Sequence, residues 1–328
     1  MGSVKKIVNS FFVQVGKADY FINKSKPKPV IMFYHGVSKN HTGPDDKHIN
    51  YKIFRNQLVS LKKYFKFIKV DNLPEIIAGV NSEEPYLSVT FDDGYKNNID
   101  VAAEILNDLN IPATFFISTG YIGKKRWMWT DLLEYSINNT KQDIFVQDDL
   151  GLKVSLGSDE KKYEAIKSIK RVMKKNDFNK IDSLIKNISL EILDGDIPDP
   201  FGDYEFMSWE DVKSLNNSGF DIGAHTVNHP ILSNIDISQA ENEINDSRKT
   251  IIDRLGECSN IFCYPNGKKY DYNPDVIKVC EKMFSAALTT NYGSVSGENL
   301  YELNRVGISN LLQGKTLIRR IVNQAIGT

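Results

Sequence analysis

His225 and His229, in the run His225-Thr-Val-Asn-His229, are two of only five histidines in the chain. Four residues apart on a helix or a turned loop, both imidazoles can face one metal ion. Far upstream, Thr90-Phe-Asp-Asp-Gly94 closes an apolar run with paired carboxylates. Such a pair offers one oxygen ligand and a neighbouring base. With the two histidines it completes an Asp-His-His set, in which either Asp92 or Asp93 is the ligand and the other the base. Three protein ligands and an open position for water are the inventory of a metal-assisted hydrolase. A water with a lowered pKa attacks a carbonyl, a carboxylate takes its proton, and the metal with backbone N–H groups holds the developing oxyanion. A general acid must then protonate the leaving nitrogen.

These residues stand at the ends of runs that read as strands. Residues 30–34 form a buried apolar run ending at His35-Gly36. Residues 86–91 end at Asp92-Asp93, 113–118 near Thr119, and 220–224 at His225. Further strands are expected at 261–264, 285–289 and 305–308. Helical periodicity covers 54–65, 97–109, 241–255, 275–283 and 311–326, and Ser208-Trp-Glu-Asp211 is a capping-box pattern. Strand, helix, strand at this spacing implies parallel pairing with right-handed crossovers, and chemistry at the C-terminal strand ends. Residues 121–205 break the pattern with Lys- and Asn-rich helices and a short strand-like pair. The expected organisation is an α/β barrel from 29–120 and 206–310, a largely helical insertion at 121–205 and a closing helix at 311–328. Residues 1–28 carry Lys5, Lys6, Lys17, Lys24, Lys26 and Lys28 against Asp19, with apolar residues at roughly helical spacing. They are expected to form a basic amphipathic helix, either packed on the barrel or lying on an anionic membrane surface.

Composition narrows the class. The chain has 328 residues, 41% hydrophobic and 25% charged, enough for a substantial core without disulfides. With 41 basic and 42 acidic residues, bulk charge points to no polyanionic partner, and nucleic acid is not expected. Cys258, Cys263 and Cys280 form no CxxC, and an odd count fits a reducing compartment better than a disulfide scaffold. The N-terminal sequence does not read as a signal peptide, and no apolar run is long enough to span a bilayer.

Taken together, the two motifs resemble those of the NodB-homology polysaccharide deacetylases, the carbohydrate esterase group that removes acetyl groups from sugars. The likeness extends over roughly residues 30–310 and implies an irregular (β/α)7 barrel. It implies Asp92 as catalytic base and Asp93, His225 and His229 as metal ligands. The family's third motif, Arg-x-Pro-aromatic-Gly, stands here as Cys263-Tyr-Pro-Asn-Gly267. Pro265 fits a groove wall, and Tyr264 is expected to offer its N–H to the oxyanion. The motif arginine is missing, and Arg305 is the expected substitute beside Asp92. The late histidine that serves as general acid is missing too, since no histidine follows His229. Phe33-Tyr-His-Gly-Val37 resembles the branch acting on poly-N-acetylglucosamine and makes His35 the expected acid. Tyr121, Trp127 and Trp129 are expected along the sugar groove, whereas Trp209 is expected to pack, Cys263 to lie in the core, and His41 and His48 to be solvated.

The expected activity is metal-dependent hydrolysis of the N-acetyl group of an N-acetylhexosamine unit in a surface-glycan precursor or oligosaccharide, releasing acetate. Zinc is the expected ion, with cobalt, nickel or iron as other choices. The substrate is an N-acetylated sugar, lipid- or nucleotide-linked in one version. The expected location is cytoplasmic in a bacterium, with peripheral contact on the inner membrane face. Two other readings fit the residues: an amidohydrolase for a small non-sugar amide, favoured by a pocket without stacked aromatics, and an inactive glycan-binding barrel. Retention of both Asp92 and Asp93 argues against the latter, because binding needs no base.

Overall fold

The computed structural model describes residues 26–40, 47–79, 84–295, 297 and 299–327. The expected helix of residues 1–28 falls almost wholly outside the described residues, as does His41. The strands in chain order are β1 (Val30–Tyr34), β2 (Gly36–Ser38), β3 (His48–Asn50), β4 (Lys66–Phe67), β5 (Tyr86–Phe91), β6 (Ala113–Ile117), β7 (Ile144–Gln147), β8 (Leu152–Ser155), β9 (Asp221–Ala224), β10 (Ile261–Cys263), β11 (Ala286–Leu288) and β12 (Val306–Gly307). The α-helices are α1 (Tyr51–Leu61), α2 (Leu73–Gly79), α3 (Glu104–Asp108), α4 (Trp129–Asn139), α5 (Asp159–Met173), α6 (Phe178–Leu193), α7 (Trp209–Asn217), α8 (Ile237–Leu255), α9 (Pro274–Met283) and α10 (Gly314–Ile326).

The main sheet runs β11-β10-β9-β6-β5-β1-β12, and every neighbouring pair is parallel. β4 pairs with the start of β5, off this path. Near-continuous apolar runs suit strands covered on both faces. Alternate side chains divide between two cores. Met32, Tyr34, Val89, Phe91, Phe115 and Ile117 pack with the helices, whereas Ile31, Phe116, Ile261, Cys263, Ala286 and Leu288 form a separate inner cluster. The curled sheet is joined at its ends by one short segment. Leu303 bridges to Leu288 of β11, and three residues later Val306 pairs with Met32 of β1. This is the irregular (β/α)7 barrel that the resemblance implies.

Local sequence explains the helix boundaries. Ser208 and Asp211 form the reciprocal capping box that opens α7, and Asn273 caps α9 ahead of a proline in its first turn. The helix expected at 97–109 differs from expectation: residues Asn98–Ala103 form a π-helical segment before α3. The wider turn sits beside the end of β1. There the Asn98 side-chain amide donates to the His35 carbonyl at 3.0 Å, and the Asn97 side-chain Oδ1 accepts from the Val37 N–H at 3.3 Å. Single π turns of this kind recur at functional sites. His48 corrects another expectation. It is 2% exposed because β3 pairs in parallel with β2, and its Nδ1 lies 3.0 Å from the Asn97 amide.

Between β6 and α7 the chain builds a second apolar cluster. It joins Leu133 and Ile137 of α4, Phe145 and Leu152 of the β7–β8 hairpin, Ile169 and Met173 of α5, and Ile185 and Ile188 of α6. Trp129, which opens α4, is buried in the same cluster.

Candidate metal centre and active site

The β5 strand ends in a sharp turn. Asp93 and Gly94 have φ of 75° and 95°, and the Gly94 N–H returns to the Asp92 carbonyl at 3.0 Å. The turn aims the Asp93 carboxylate at the end of β9. Asp93 Oδ1 lies 3.5 Å from His225 Nε2 and 3.3 Å from His229 Nε2. The three ligand atoms all lie within 4.8 Å of one another. Asp93 Oδ1 is buried and has no hydrogen-bond partner among the described residues. His225 Nδ1 lies 2.8 Å from the Cys263 carbonyl, which fixes its donor side and turns Nε2 inward. An unpartnered carboxylate oxygen between two inward-facing imidazole nitrogens is what a divalent cation requires.

The histidine pair is carried on a turned loop, not a helix. Thr226 and His229 both have positive φ, 65° and 57°. The Thr226 hydroxyl accepts the His229 N–H at 3.0 Å. Glu243 of α8 holds the rest of the loop. Its carboxylate accepts the N–H groups of Val227 and Asn228 at 2.9 and 2.8 Å, and the Asn228 amide at 2.8 Å. From the other side, the Gly120 N–H donates to the Val227 carbonyl at 2.8 Å. A side chain at Gly120 would place its Cβ 2.6 Å from that same oxygen, so the contact requires glycine.

Asp92 points into the barrel, and Arg305 meets it there. Arg305 Nη1 and Nη2 each donate to one Asp92 oxygen at 2.8 Å. Arg305 is 1% exposed and fully engaged: Nε donates to the Thr289 carbonyl, Nη1 also to the Thr90 hydroxyl, and the guanidinium lies over the Phe33 ring. Burial alone would raise the Asp92 pKa, but the Arg305 charge and hydrogen bonds outweigh it and hold the carboxyl below its usual range. Asp92, His225 and Cys263 form a second cluster of possible ligands. Its members are already engaged: Asp92 by Arg305, and the Cys263 thiol as a 3.5 Å donor to Asp92. Burial also pushes the Cys263 thiol up, away from the thiolate a metal takes.

His35, Asp92, Asp93, His225 and His229 line one cavity of about 570 Å³. Met128, Thr130, Glu134, Lys170 and Lys174 wall it on the side of the 129–192 cluster, and Ser309, Leu312 and Arg320 on the barrel side. Several expected groove residues lie elsewhere. Tyr264 is fully buried, stacked on Tyr272, and its N–H donates to the Leu288 carbonyl at 3.1 Å, so the sheet consumes the expected oxyanion donor. Pro265 is not among the lining residues. Tyr121 is 1% exposed and packs with Tyr95, Met128 and Phe206. Trp127 and Trp129 line a different pocket of about 270 Å³, and the Trp127 indole N–H donates to the Pro198 carbonyl.

Sequence reasoning also missed residues. Asn266, two positions after Tyr264, lines the cavity at φ 59°, and its N–H has no acceptor among the described residues. The only local signal was its place in a Pro-Asn-Gly turn. Gly267, at φ 70°, completes that turn where a Cβ would fall 2.8 Å from the Thr290 nitrogen. Lys47 also lines the cavity and pairs with Asp131, to which the Tyr95 hydroxyl donates at 2.8 Å. Glu243 had no sequence signal, because one acid on an amphipathic helix reads as a solvated face.

Three comparisons place this geometry among known proteins. The Bacillus subtilis protein YxkH, named for a polysaccharide deacetylase, is 29% identical over 115 residues, which is 34% of this chain and 40% of that protein. The Streptococcus pyogenes deacetylase PplD, solved with acetate, matches 90% of this chain and 99% of its own at a TM-score of 0.60 and 18% identity. IcaB from Ammonifex degensii matches 92% and 98% at a TM-score of 0.58 and 15% identity. At these identities the two structures show a shared fold. The family profile for polysaccharide deacetylases matches residues 79–285, more than half of the chain, and includes both the Asp92-Asp93 and the His225–His229 motifs. The chain is therefore a member of the polysaccharide deacetylase family.

Proposed function

We propose that this protein hydrolyses the N-acetyl group of an N-acetylhexosamine unit, releasing acetate, with a divalent metal at Asp93, His225 and His229. The observation that carries this reading is the convergence of three groups in one cavity: an Asp-His-His set, a second carboxylate gripped by a buried arginine, and His35. Asp93, His225 and His229 would hold the divalent ion, which would supply Lewis-acid polarisation of the acyl group and a more acidic water. Asp92 takes the proton of the attacking water, and Arg305 keeps Asp92 ionised and oriented. The Asn266 N–H, in place of that of Tyr264, donates to the oxyanion. His35 delivers a proton to the leaving nitrogen. Zinc is the first choice for two imidazoles and one carboxylate.

The poly-N-acetylglucosamine-type branch remains the preferred subgroup. Its support is the position of His35, just past the end of β1 and on the cavity wall, although Tyr34 beside it packs into the helix-side core. Helices of the proposed insertion, residues 121–205, wall the cavity on one side, which supports a short or carrier-linked saccharide over a long polymer. Residues 1–28 are proposed as a peripheral contact with the inner face of a bacterial membrane. The support is their lysine content, and among the described residues no helix is long and apolar enough to cross a membrane.

One observation favours a second reading. Apart from histidine, Phe33 is the only aromatic among the described residues lining the cavity, and Arg305 covers its ring. A site without an open stacking face also suits a small non-sugar amide. Acetate release from N-acetylhexosamine oligomers and from simple N-acetyl amines, before and after chelation, separates the two. Metal-dependent release from the sugars alone supports the deacetylase, and release from the amines alone supports the second reading.

A further inference from the structure

Among the described residues, four cations line the cavity: Lys47, Lys170, Lys174 and Arg320. Two are neutralised inside the protein, Lys47 by Asp131 and Lys170 by Glu134. The other two form no ion pair among the described residues. Lys174 Nζ, at the end of α5, donates to the neutral amide oxygen of Asn266 at 2.8 Å, and Asp271 acts on it only from beyond ion-pair range. Arg320, on α10, lies over the Tyr292 ring, and its Nε is buried without a hydrogen-bond partner. Among the acids that line the cavity, Asp92 is matched by Arg305, Glu134 by Lys170, and Asp93 by the proposed metal. Among the described residues, the charge left facing the cavity is therefore positive. It comes from two elements, the C-terminal end of α5 and α10.

Partly buried cations without counter-charges are costly unless a ligand supplies the anion. A guanidinium matches the paired oxygens of a phosphate or a carboxylate. We infer that the substrate is an anionic N-acetyl sugar, whose phosphate or carboxylate oxygens are received by Lys174 and Arg320. This deepens the proposed deacetylase reading and rests on it. Lys174 also ties the anion site to the Asn266 turn, so a bound anion and the acyl oxygen are registered by adjoining atoms.

The test compares kcat/KM of the metal-loaded full chain on three probes: N-acetylglucosamine 1-phosphate, an N-acetylglucosamine–glucuronate disaccharide and neutral N-acetylglucosamine disaccharide. The readout is the anionic-to-neutral ratio, which cancels any general loss of activity. A ratio of roughly tenfold or more is expected in the wild type, falling toward unity in Arg320→Gln and in Lys174→Gln, mainly through KM. Arg320→Lys, which keeps the charge and loses the fork, should retain part of it. The phosphate and uronate probes show which anion is meant. A wild-type ratio near unity, or one unchanged by the substitutions, overturns the inference. Should no probe release acetate, the deacetylase reading fails by itself, and calorimetric binding of the same probes to Asp92→Asn protein still decides the anion site. Tighter binding of an anionic probe, lost in Arg320→Gln, sustains it, and equal binding of all three overturns it.

Discussion

Arg305 and Asp92 meet fork to fork, with two N–H···O contacts of 2.8 Å between residues 213 positions apart. Both are buried, so neither side chain is dispensable alone. Arg305→Gln is expected to cost about 3–5 kcal/mol, because it strands a charge in the barrel. The double variant Asp92→Asn/Arg305→Gln should recover part of that loss in urea denaturation. An equal or larger loss in the double variant would show that the pair is not the source.

The same contact sets a pH dependence. The folded-state pKa of Asp92 is lowered, so its contribution to stability is present above the ordinary carboxylate pKa of about 3.9 and is lost as pH falls. Without Arg305, burial loses its main opponent, and only the weaker influence of His225 and His35 still holds the pKa down. The acid limb of kcat/KM should then move to higher pH in Arg305→Gln. An acid limb at the wild-type position would remove Arg305 from the role of holding the base ionised.

Metal affinity should weaken as pH falls. Burial opposes protonation of His225, but Cys263 and Asp93 outweigh it and raise its pKa, while His229 is pushed down to about 3 by burial. A proton on His225 therefore competes with the ion, whereas His229 stays neutral. Competition with a chromophoric chelator between about pH 6 and 8 reads this directly. Flat affinity across that range, or full metal content in Asp93→Asn and His225→Ala, contradicts the assigned ligand set.

Glu243 holds the histidine loop without touching the ligand set. Glu243→Gln keeps the shape but turns one acceptor oxygen into a donor facing the loop N–H groups. Metal affinity is expected to fall about 10–100-fold. Added metal should restore much of the activity, which it would not do if Glu243 took part in the chemistry.

His35 is tested by the leaving group. An amine needs a proton to depart, and an aryl alcohol needs little help. His35→Ala is expected to lose roughly 10²–10⁴-fold on an N-acetyl substrate and much less on an aryl acetate. Equal losses on both would assign the His35 ring a positioning role, through its edge contact with the Phe33 ring.

The barrel was legible because its apolar runs are short, regularly spaced and each stopped by polar residues. The metal set was legible because Asp92-Asp93 and His225–His229 are local patterns at strand ends. What escaped depends on partners distant in sequence. Whether the Tyr264 N–H is free depends on the register of β10 against β11, which nothing near Tyr264 encodes. Trp127, Trp129 and Tyr121 are sugar-stacking types, but Pro198, the 129–192 cluster and Phe206 cover them. His48 looked solvated until β2 gave it a strand to pair with. Lys174 and Arg320 are ordinary helix charges until the fold aims them into one cavity.

The most direct measurement is metal content together with acetate release from N-acetylhexosamine oligomers, in the wild type and in Asp92→Asn. One bound metal in both, with release in the wild type lowered roughly 10²–10⁴-fold in the variant, is expected. Full activity in Asp92→Asn, or a metal-loaded wild type that releases no acetate from any sugar, would contradict the proposed deacetylase.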